Sequence, residues 1–577
     1  MVRHKLHLGV FYVTFLAISL VEGIHFILDL RFLYFFIFAL PLFLFLFDPK
    51  KHYSIPKVFL GLSIVYMGSS FISLINSKQI GVSIELFLRD LSLVLLFLYV
   101  FQHAKLIKKQ LPRLIVALAV VFVAVSLFCL YTPYGREFIK GVRLNLLFNP
   151  AYLHKTIGDY LVFPLLISIY TFFVKRKKIW LVPFILLLPI FLLSFSRTAY
   201  ITLAVSLLIL FYSHRALIKK ESLSLVISLG VNGLFILGAC MLFVTRVNNE
   251  TLTLLQNNSS IQGMLHARPL IFSRSPYWIM GIKGFLLEPF VGIGQGNFPY
   301  LSYRFTDELF VSTITSFNLI IDMLAEQGIF AAAGLVLLVC YIIVAADKKS
   351  LSFLLFSSLC ISFLGFSTYT YTQLWMLFFI LGGLALASND KVRVFSMPKK
   401  ALLIVTSIGV VYIQLLFTHS FLIKSGQYKI AQAIYPFDRE NMETLIEKSH
   451  KYESRFTIAS YINQYQNAFS IDAFRLEYVG DKYTEFGSRY YDKKALQAYE
   501  ESFLWGGYIY GDSLVDRMEK LYTLKRDLEG QKAADRYATA YLENYERILL
   551  KDPKKIQQDT YNAVQKKIKS LQEQSQE

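Results

Sequence analysis

The chain has 577 residues and a formal net charge of +19, and 55% of its residues are hydrophobic. Only 17% are charged, whereas a soluble protein carries about 25%, so the composition excludes an ordinary soluble protein. It predicts an all-α, polytopic membrane protein. The region from Lys424 onward is about neutral, so the positive charge belongs to the apolar part. There it indicates membrane orientation, and nucleic-acid binding is not expected.

Apolar windows of about 20 residues predict about thirteen membrane-spanning helices, the first of them uncleaved. They cover 8–28, 31–47, 56–76, 84–103, 113–131, 156–174, 179–195, 199–213, 222–245, 318–345, 351–368, 371–388 and 401–422.

The loops between these spans alternate in charge. The compact basic ones, which predict the cytoplasmic side, are DPKKHYSIPK, QHAKLIKKQLPR, VKRKKIW, SHRALIKKES, ADKKS and NDKVRVFSMPKK. The stretch 246–317 is then a large external loop, and an odd number of spans places the C-terminus outside. The sequence therefore predicts a multi-pass protein of the cytoplasmic membrane with a cytoplasmic N-terminus. Its domains are a transmembrane domain, 1–423, and an extracytoplasmic helical domain, 424–577.

Four of the arginines on the predicted external side are candidate substrate ligands. Arg197 lies at the seam of two apolar spans, Arg274 in the large external loop, and Arg143 and Arg268 in external loops as well. Charge near a bilayer is costly unless it faces a cavity, a partner or an anionic substrate. Guanidinium groups bind phosphate oxygens in a bidentate manner, so the cluster predicts a phosphate-bearing lipid substrate. Contact with lipid headgroups is the alternative for each of these residues.

Three segments carry a family resemblance. They are SFSRTAY around Arg197, the Arg274-x-x-x-Trp278 pattern followed by EPFVGIGQGNF, and SFNLIIDMLAEQGIFAAAGLVLL, which re-enters the membrane. In their order and spacing they resemble the bacterial O-antigen ligase and O-antigen polymerase superfamily, over roughly residues 150–390. The resemblance implies transfer of a glycan from undecaprenyl diphosphate to an acceptor glycan or surface molecule outside the cytoplasmic membrane. It implies no metal, nucleotide or other cofactor.

One position departs from the ligase pattern. Ligases of the superfamily carry a His-Asn pair where this chain has Phe317-Asn318. Because that histidine is implicated in ligation, the departure favours a polymerase over a ligase. Two other classes stay open: a transporter or flippase for a lipid-linked or anionic substrate, and a non-enzymatic assembly scaffold.

Glycan transfer needs fixed cations for the leaving diphosphate and a group that takes the acceptor proton. Arg197 and Arg274 are predicted to be catalytic in the first role, with Arg268 and Arg143 binding substrate. Asp322 and Glu326 are predicted to be catalytic in the second role.

Asn318, Asp322 and Glu326 recur every four residues and share one helix face, for which helix packing or a salt bridge is the alternative. Asn318 is predicted to bind substrate. Trp278 is predicted to stack on a sugar, with an interfacial aromatic belt as the alternative.

Two further polar patterns are predicted to be structural. Glu85, Arg89 and Asp90 occupy adjacent turns of the fourth span and predict an internal charge-compensated cluster that supports the site. The glycines of GIGQGN follow no βαβ unit, so they predict a tight loop after Pro289 and not a dinucleotide site.

The C-terminal region contains amphipathic helical segments punctuated by Gly530 and Pro553. Their pairing, and the Ala and Tyr positions in AADRYATAYLENY, resemble tetratricopeptide repeats, which bind protein partners through a concave face. A plain helical cap on the membrane domain is the equal alternative.

Overall fold

The computed structural model describes residues 3–24, 30–77, 80–131, 153–193, 197–214, 270–309, 315–316, 318–366, 372–425, 427–435, 480–481, 484, 489–506, 512–551 and 555–574. Within these ranges the chain is almost entirely helical, which confirms the predicted all-α class. A short two-stranded ribbon is the β structure among the described residues, and the sequence analysis does not predict it.

Twelve of the thirteen predicted spans are helices, and the span 222–245 lies outside the described residues. The helices of the apolar part are α1 (Arg3–Ile24), α2 (Leu30–Phe47), α3 (Lys57–Ile72), α4 (Ile80–Gln102), α5 (Ala104–Tyr131), α6 (Leu153–Phe173), α7 (Leu181–Leu193), α8 (Arg197–Ser213), α9 (Leu270–Leu287), α10 (Phe298–Leu309), α11 (Leu319–Ala345), α12 (Leu351–Phe366), α13 (Thr372–Leu386) and α14 (Lys399–Lys424). Helices α9 and α10 belong to the predicted external loop, so that loop is itself partly helical.

Three described segments are long and apolar enough to cross a membrane: Lys57–Asn76, Leu319–Ala345 and Lys399–His419. Shorter apolar helices accompany them in the described ranges. In a bilayer the backbone polar groups must be satisfied within the chain, which is why apolar segments of this length fold as helices. These segments make the chain a polytopic membrane protein.

The centre of the bundle is α4, which packs against α2, α3 and α13. Its residues from Ser92 to Val100 are all buried, so this helix faces protein on every side. Helix α11 crosses α3 closely, because a Cβ at Gly334 would lie only 3.0 Å from the backbone nitrogen of Tyr66. Small residues at such crossings let helix backbones approach in membranes.

The two-stranded ribbon lies at one end of the bundle. Strands β1 (His52–Pro56) and β2 (Val394–Pro398) pair antiparallel, with His52 opposite Pro398. The Nζ of Lys399 donates to the backbone oxygen of Asp48 at 2.6 Å. The ribbon thus joins the segment after the second helix to the segment before the last membrane helix.

Further basic loops meet at this same end. The hydroxyl of Tyr170 donates to the backbone oxygen of Lys349 at 3.0 Å, and the backbone nitrogen of Asp347 donates to Ser388 Oγ at 2.9 Å. We call residues 46–57, 102–107, 170–180, 345–350 and 388–399 the basic end. Loops that the charge pattern assigns to one side of the membrane therefore lie together, and their cytoplasmic location stays a prediction.

The opposite end, which we call the loop end, carries residues 73–77, 80–83, 288–298, 315–316 and 318. The start of the C-terminal region lies here too, because a Cβ on Gly81 would be 2.8 Å from the hydroxyl of Tyr435. Helix α15 (Tyr428–Ile434), which follows α14, brings Tyr435 to this position.

The C-terminal helices are α16 (Arg489–Gly506), α17 (Asp512–Glu529), α18 (Gln531–Lys551) and α19 (Lys555–Gln574). They share a core of their own that includes Tyr499, Met518, Tyr522 and Ala538. Helix α16 also contacts α10 of the membrane part. These contacts are those of a packed helical region, and its likeness to tetratricopeptide repeats stays a prediction, as does the boundary at 423.

Candidate functional site

The loop end is organised around a break in α11. Gly328 has φ 78° and ψ 179°, so the helical path is interrupted inside the apolar segment. A broken helix releases carbonyl and N–H groups that lack partners within the helix. Non-helical backbone at membrane depth is tolerated only where protein or a water-filled cavity supplies partners.

The segment that follows α9 supplies those partners. The backbone nitrogen of Ile293 donates to the oxygen of Ala325 at 3.1 Å, and that of Gly294 donates to the oxygen of Glu326 at 2.8 Å. In the other direction, the nitrogen of Ile329 donates to the oxygen of Pro289 at 2.9 Å. We call residues 289–297 the inserted loop, because its backbone completes the hydrogen bonding of the broken helix.

Glycine is required on both sides of this junction. Gly292 and Gly294 have φ of 75° and 95°, a region that side chains disfavour. A Cβ on Gly292 would lie 2.3 Å from the oxygen of Glu326, and one on Gly328 would lie 2.2 Å from the oxygen of Phe290. The predicted tight loop after Pro289 is therefore confirmed, and its glycines serve close backbone approach.

The inserted loop is also fastened to the start of α4. Asn297 Nδ2 donates to Ser83 Oγ at 2.9 Å and to Ser77 Oγ at 3.1 Å. The hydroxyl of Ser83 in turn donates to the backbone oxygen of Gln295 at 2.6 Å. The side chains of Ser83, Gln295 and Asn297 are buried, so these bonds are shielded from solvent.

A single buried carboxylate connects the loop to the bundle interior. Asp90 accepts hydrogen bonds from Arg89 Nε at 2.9 Å, the Tyr66 hydroxyl at 2.6 Å, Gln295 Nε2 at 2.8 Å and Trp375 Nε1 at 2.8 Å. Four donors on one fully buried carboxylate offset the cost of removing its charge from water. Of the predicted cluster of Glu85, Arg89 and Asp90, the structure pairs Arg89 with Asp90, and Asp90 holds the inserted loop through Gln295. Glu85 is buried on the same helix.

The two predicted catalytic carboxylates lie on the helical segment before the break. Asp322 is 2% exposed, and it accepts from the Thr315 hydroxyl at 2.5 Å and from the Ser316 backbone nitrogen at 2.7 Å. Glu326 is 3% exposed and accepts from the backbone nitrogen of Phe298 at 3.0 Å. Both therefore fasten neighbouring segments to α11.

The predicted binding residue Asn318 is the N-cap of α11. Its side-chain oxygen accepts from the backbone nitrogens of Ile320 at 3.0 Å and Ile321 at 3.2 Å. This is the usual role of asparagine at a helix start, where N–H groups lack helical partners. Its substrate-binding role stays a prediction.

Arg274 and Trp278 share one face of α9 with Gly281, since these residues are four and three apart. A Cβ on Gly281 would lie 2.3 Å from Ile321 Cγ2 and 3.6 Å from Ser316 Cβ, so this face packs on the start of α11. Arg274 is half-buried and lies about 10 Å from Gly281 along the helix axis. The same helix face therefore carries the predicted arginine and reaches the segment that holds Asp322.

Trp278 presents a buried donor on this face. Its Nε1 is enclosed and has no hydrogen-bond acceptor among the described residues. A buried indole N–H without an acceptor is costly. A bound polar molecule is one source of such an acceptor.

The structure describes only part of the remaining predicted site residues. Helix α8 begins at Arg197, and the Tyr200 hydroxyl donates to the backbone oxygen of Leu192 across the seam of α7 and α8. The Arg197 side chain, Arg143 and Arg268 lie outside the described parts of the chain. Phe317 lies outside them as well.

Comparison with known families gives one match, over part of the chain. A family model described as O-antigen ligase matches residues 182–336. This match supports the resemblance of the segment 182–336 to the O-antigen ligase and polymerase superfamily. No curated protein and no solved structure matches the chain.

The O-antigen ligase region runs from α7 to beyond the break in α11, and it contains α9, the inserted loop and α10. Seven of the predicted site residues fall inside it: Arg197, Arg268, Arg274, Trp278, Asn318, Asp322 and Glu326. Arg143 and the Asp90 cluster lie before it. The match supports membrane glycan transfer of the O-antigen ligase type.

Sequence reasoning missed several polar partners at this site. Tyr66, Gln295 and Trp375 come from three distant parts of the chain, and all three meet Asp90. The amides of GIGQGN and the Glu-Gln-Gly run inside an otherwise apolar span are the signals that could have indicated a buried polar junction.

Proposed function

We propose that this chain is a glycosyltransferase that transfers or polymerises glycan carried on undecaprenyl diphosphate. It acts at the outer face of the cytoplasmic membrane in the synthesis of a surface polysaccharide, such as capsule, exopolysaccharide or cell-wall glycan. The observation that carries the proposal is the O-antigen ligase match over 182–336, the segment that builds the loop end.

The site geometry supports a donor position beside α9 and the start of α11. Arg274 and Trp278 lie on the helix face that packs against Ile321 and Ser316. A guanidinium there suits the leaving diphosphate, and the enclosed indole N–H suits a polar group of the donor. From the sequence alone, we assign binding of the same anionic substrate to Arg197, Arg268 and Arg143.

The transfer step needs one bond exchange and one proton transfer. The acceptor hydroxyl oxygen forms a bond to the anomeric carbon, and the bond from that carbon to the diphosphate oxygen breaks. The diphosphate leaves with the electron pair, which Arg274 and Arg197 stabilise, and the hydroxyl proton goes to a carboxylate. No metal is required in this scheme.

We assign the base to Asp322. An ionised carboxylate has about four acceptor positions, so the bonds from Thr315 and Ser316 do not exhaust it. Glu326 lies one turn deeper and holds the first residue of α10 through Phe298, so we assign it a positioning role. Asn318 is assigned to the acceptor side of the site, next to its cap position.

A polymerase is favoured over a ligase by Phe317, which stands where ligases of the superfamily carry histidine. The acceptor is then a second lipid-linked repeat unit. We assign the binding of protein partners to the C-terminal helices, of which α16 contacts α10 next to the site.

The break in α11 favours a transporter as the second candidate, because interrupted helices are typical of transport sites. Transporters with such helices usually repeat the interruption in a matching half of the chain. Among the described helices, non-helical dihedral angles interrupt α11 alone. A transporter would move lipid-linked glycan without joining repeat units, which separates the two candidates experimentally.

The test is complementation of a deletion strain with wild-type protein, Arg274→Ala or Arg274→Lys. We expect Arg274→Ala to abolish long glycan and leave single repeat units on undecaprenyl diphosphate, measured by mass spectrometry of extracted lipids. Lysine keeps the charge and loses the bidentate geometry, so Arg274→Lys should retain only a small fraction of product.

Arg304→Ala is the matched control, because Arg304 is an exposed arginine of the neighbouring helix α10. It should give wild-type product, and all variants should be present in membranes at equal levels. Wild-type product from Arg274→Ala would overturn the site assignment. Long chains that stay on the lipid in the deletion strain would show a ligase in place of a polymerase.

A further inference from the structure

A second polar cluster lies at the basic end, away from the transfer site. His7 comes from the first turns of α1, Asp48 follows α2, and His103 lies at the junction of α4 and α5. Their exposed fractions are 2%, 1% and 6%. Three residues far apart in sequence therefore meet where four helices begin or end.

The potential ligand atoms of these residues are close together. One ring nitrogen of each histidine and one carboxylate oxygen all lie within 4.8 Å of one another. His103 Nε2 is 2.6 Å from Asp48 Oδ2, and the two imidazole rings have centroids 5.0 Å apart. Small movements of these side chains give the separations found between ligands around one first-row metal ion.

The neighbours of the cluster resemble the outer shell of a metal site. A ligating histidine usually gives one ring nitrogen to the ion and the other to a hydrogen-bond partner. His7 Nδ1 has such a partner in the Tyr99 hydroxyl at 2.6 Å. The Tyr53 hydroxyl donates to Asp48 Oδ2 and so orients the carboxylate.

Charge also favours a cation here. A buried carboxylate needs compensation. Because imidazoles bind a metal ion in their neutral form, the three ligands together would bring one negative charge to the ion. The nearby Lys399 bonds to the backbone oxygen of Asp48, and Lys50 donates its backbone nitrogen to Oδ1. A divalent ion supplies charge directly at the carboxylate and the rings.

We propose that His7, Asp48 and His103 bind one Zn²⁺ ion, which ties α1, the end of α2 and the α4–α5 junction together. Zn²⁺ is bound in proteins by sets of two imidazoles and one carboxylate such as this one. The role assigned to the ion is to hold these helix ends together, with a water molecule as its fourth ligand. Along α4 its site lies about 20 Å from Asp90, at the opposite end from the proposed transfer site.

The experiment measures metal in the full-length protein, purified in detergent with a tag that contains no histidine. Because the proposed site binds one ion, mass spectrometry of the metal should find about one zinc per chain. His7→Gln and His103→Gln should each reduce zinc at least tenfold. His419→Gln is the matched control, since His419 is also buried but bonds to the backbone oxygen of Ala431.

Wild-type protein alone provides a second measurement if the histidine variants do not accumulate. Chelator-treated protein loaded with Co²⁺ should show the visible absorption bands of a four-coordinate site, and added Zn²⁺ should remove them and raise the unfolding temperature. Zinc-free wild-type protein with no Co²⁺ spectrum would overturn the proposal. Zinc retained in both histidine variants would mark an adventitious ion and would overturn it as well.

Discussion

The two ends of the helix bundle satisfy the polar groups of their connecting segments in different ways. At the basic end, chain segments are closed by a β ribbon and by lysine and histidine contacts around Asp48. At the loop end, the backbone of residues 289–294 replaces missing hydrogen bonds inside a broken helix. The first arrangement lies beyond the helix ends, whereas the second lies within an apolar segment.

This difference indicates that the chain accepts an energetic cost at the loop end, where we place its function. Opening a helix in an apolar segment exposes polar backbone, and only close partners make that acceptable. The loop end has those partners, and it coincides with the O-antigen ligase match. The basic end conforms to ordinary rules of helix termination, so we expect substitutions there to change stability without changing transfer.

The largest expected effect comes from Asp90→Asn. The change leaves the Arg89 guanidinium buried without its carboxylate, at a cost of about 3–5 kcal/mol, and releases Gln295 of the inserted loop. Thermal unfolding in detergent should show the loss, and transfer should disappear. Lys399→Met at the basic end should cost about 1 kcal/mol and retain transfer.

A double variant isolates the charge. Arg89→Met with Asp90→Asn should be more stable than Asp90→Asn alone, because the unpaired guanidinium is gone. Equal stability of the single and double variants would contradict the role given to the ion pair.

Gly328→Ala should have the next largest effect. The residue has φ 78°, and the new Cβ would meet the backbone oxygen of Phe290 at 2.2 Å, so strain and overlap together cost about 2–4 kcal/mol. Unfolding temperature and glycan length are the readouts.

Two other glycines separate the causes of that loss. Gly530 has φ 97°, and no atom lies within 4 Å of a Cβ added there. Gly530→Ala should therefore lower the free energy of unfolding by about 1 kcal/mol through backbone strain alone. Gly68→Ala, in helix α3 with no atom near the new Cβ, should be neutral or slightly stabilising. A Gly328→Ala effect no larger than that of Gly530→Ala would remove the case for the inserted loop.

Trp375→Phe should have the smallest effect. It removes the indole donor to Asp90 but keeps a ring in the core, and we expect a loss of about 1–2 kcal/mol with a partial loss of transfer. Trp180→Phe, at the basic end, should leave transfer unchanged. Equal transfer by both variants would show that the Asp90 network contributes stability only.

The helices were predictable because a membrane leaves apolar segments few alternatives. Span 318–345 agrees closely with α11 (Leu319–Ala345), and the basic loops that the structure describes meet at one end, as their charge predicts. The ribbon was not predictable, since β1 and β2 are short and pair across most of the apolar chain. Nothing in five residues specifies a partner so distant.

The candidate site was predictable as residue types on a helix, and much less as contacts. The spacing of Asp322 and Glu326 predicts one helix face, and both do lie on α11. The bonds to Ser316 and Phe298 depend on how the external loop folds back, which spacing does not encode. Gly328 was read as part of an unbroken span, because a single glycine in a helix is usually tolerated.

The ribbon has a consequence for the order of biogenesis. Strand β1 leaves the ribosome early, but β2 follows only after α13, and the two must pair. At about 5–20 residues per second, on the order of 20–70 s separate the synthesis of the two strands. A nascent chain stalled before β2 would keep an unpaired strand edge beside α2, available to quality-control factors. Completed pairing would then mark the insertion of the helices up to α13, with α14 still to follow.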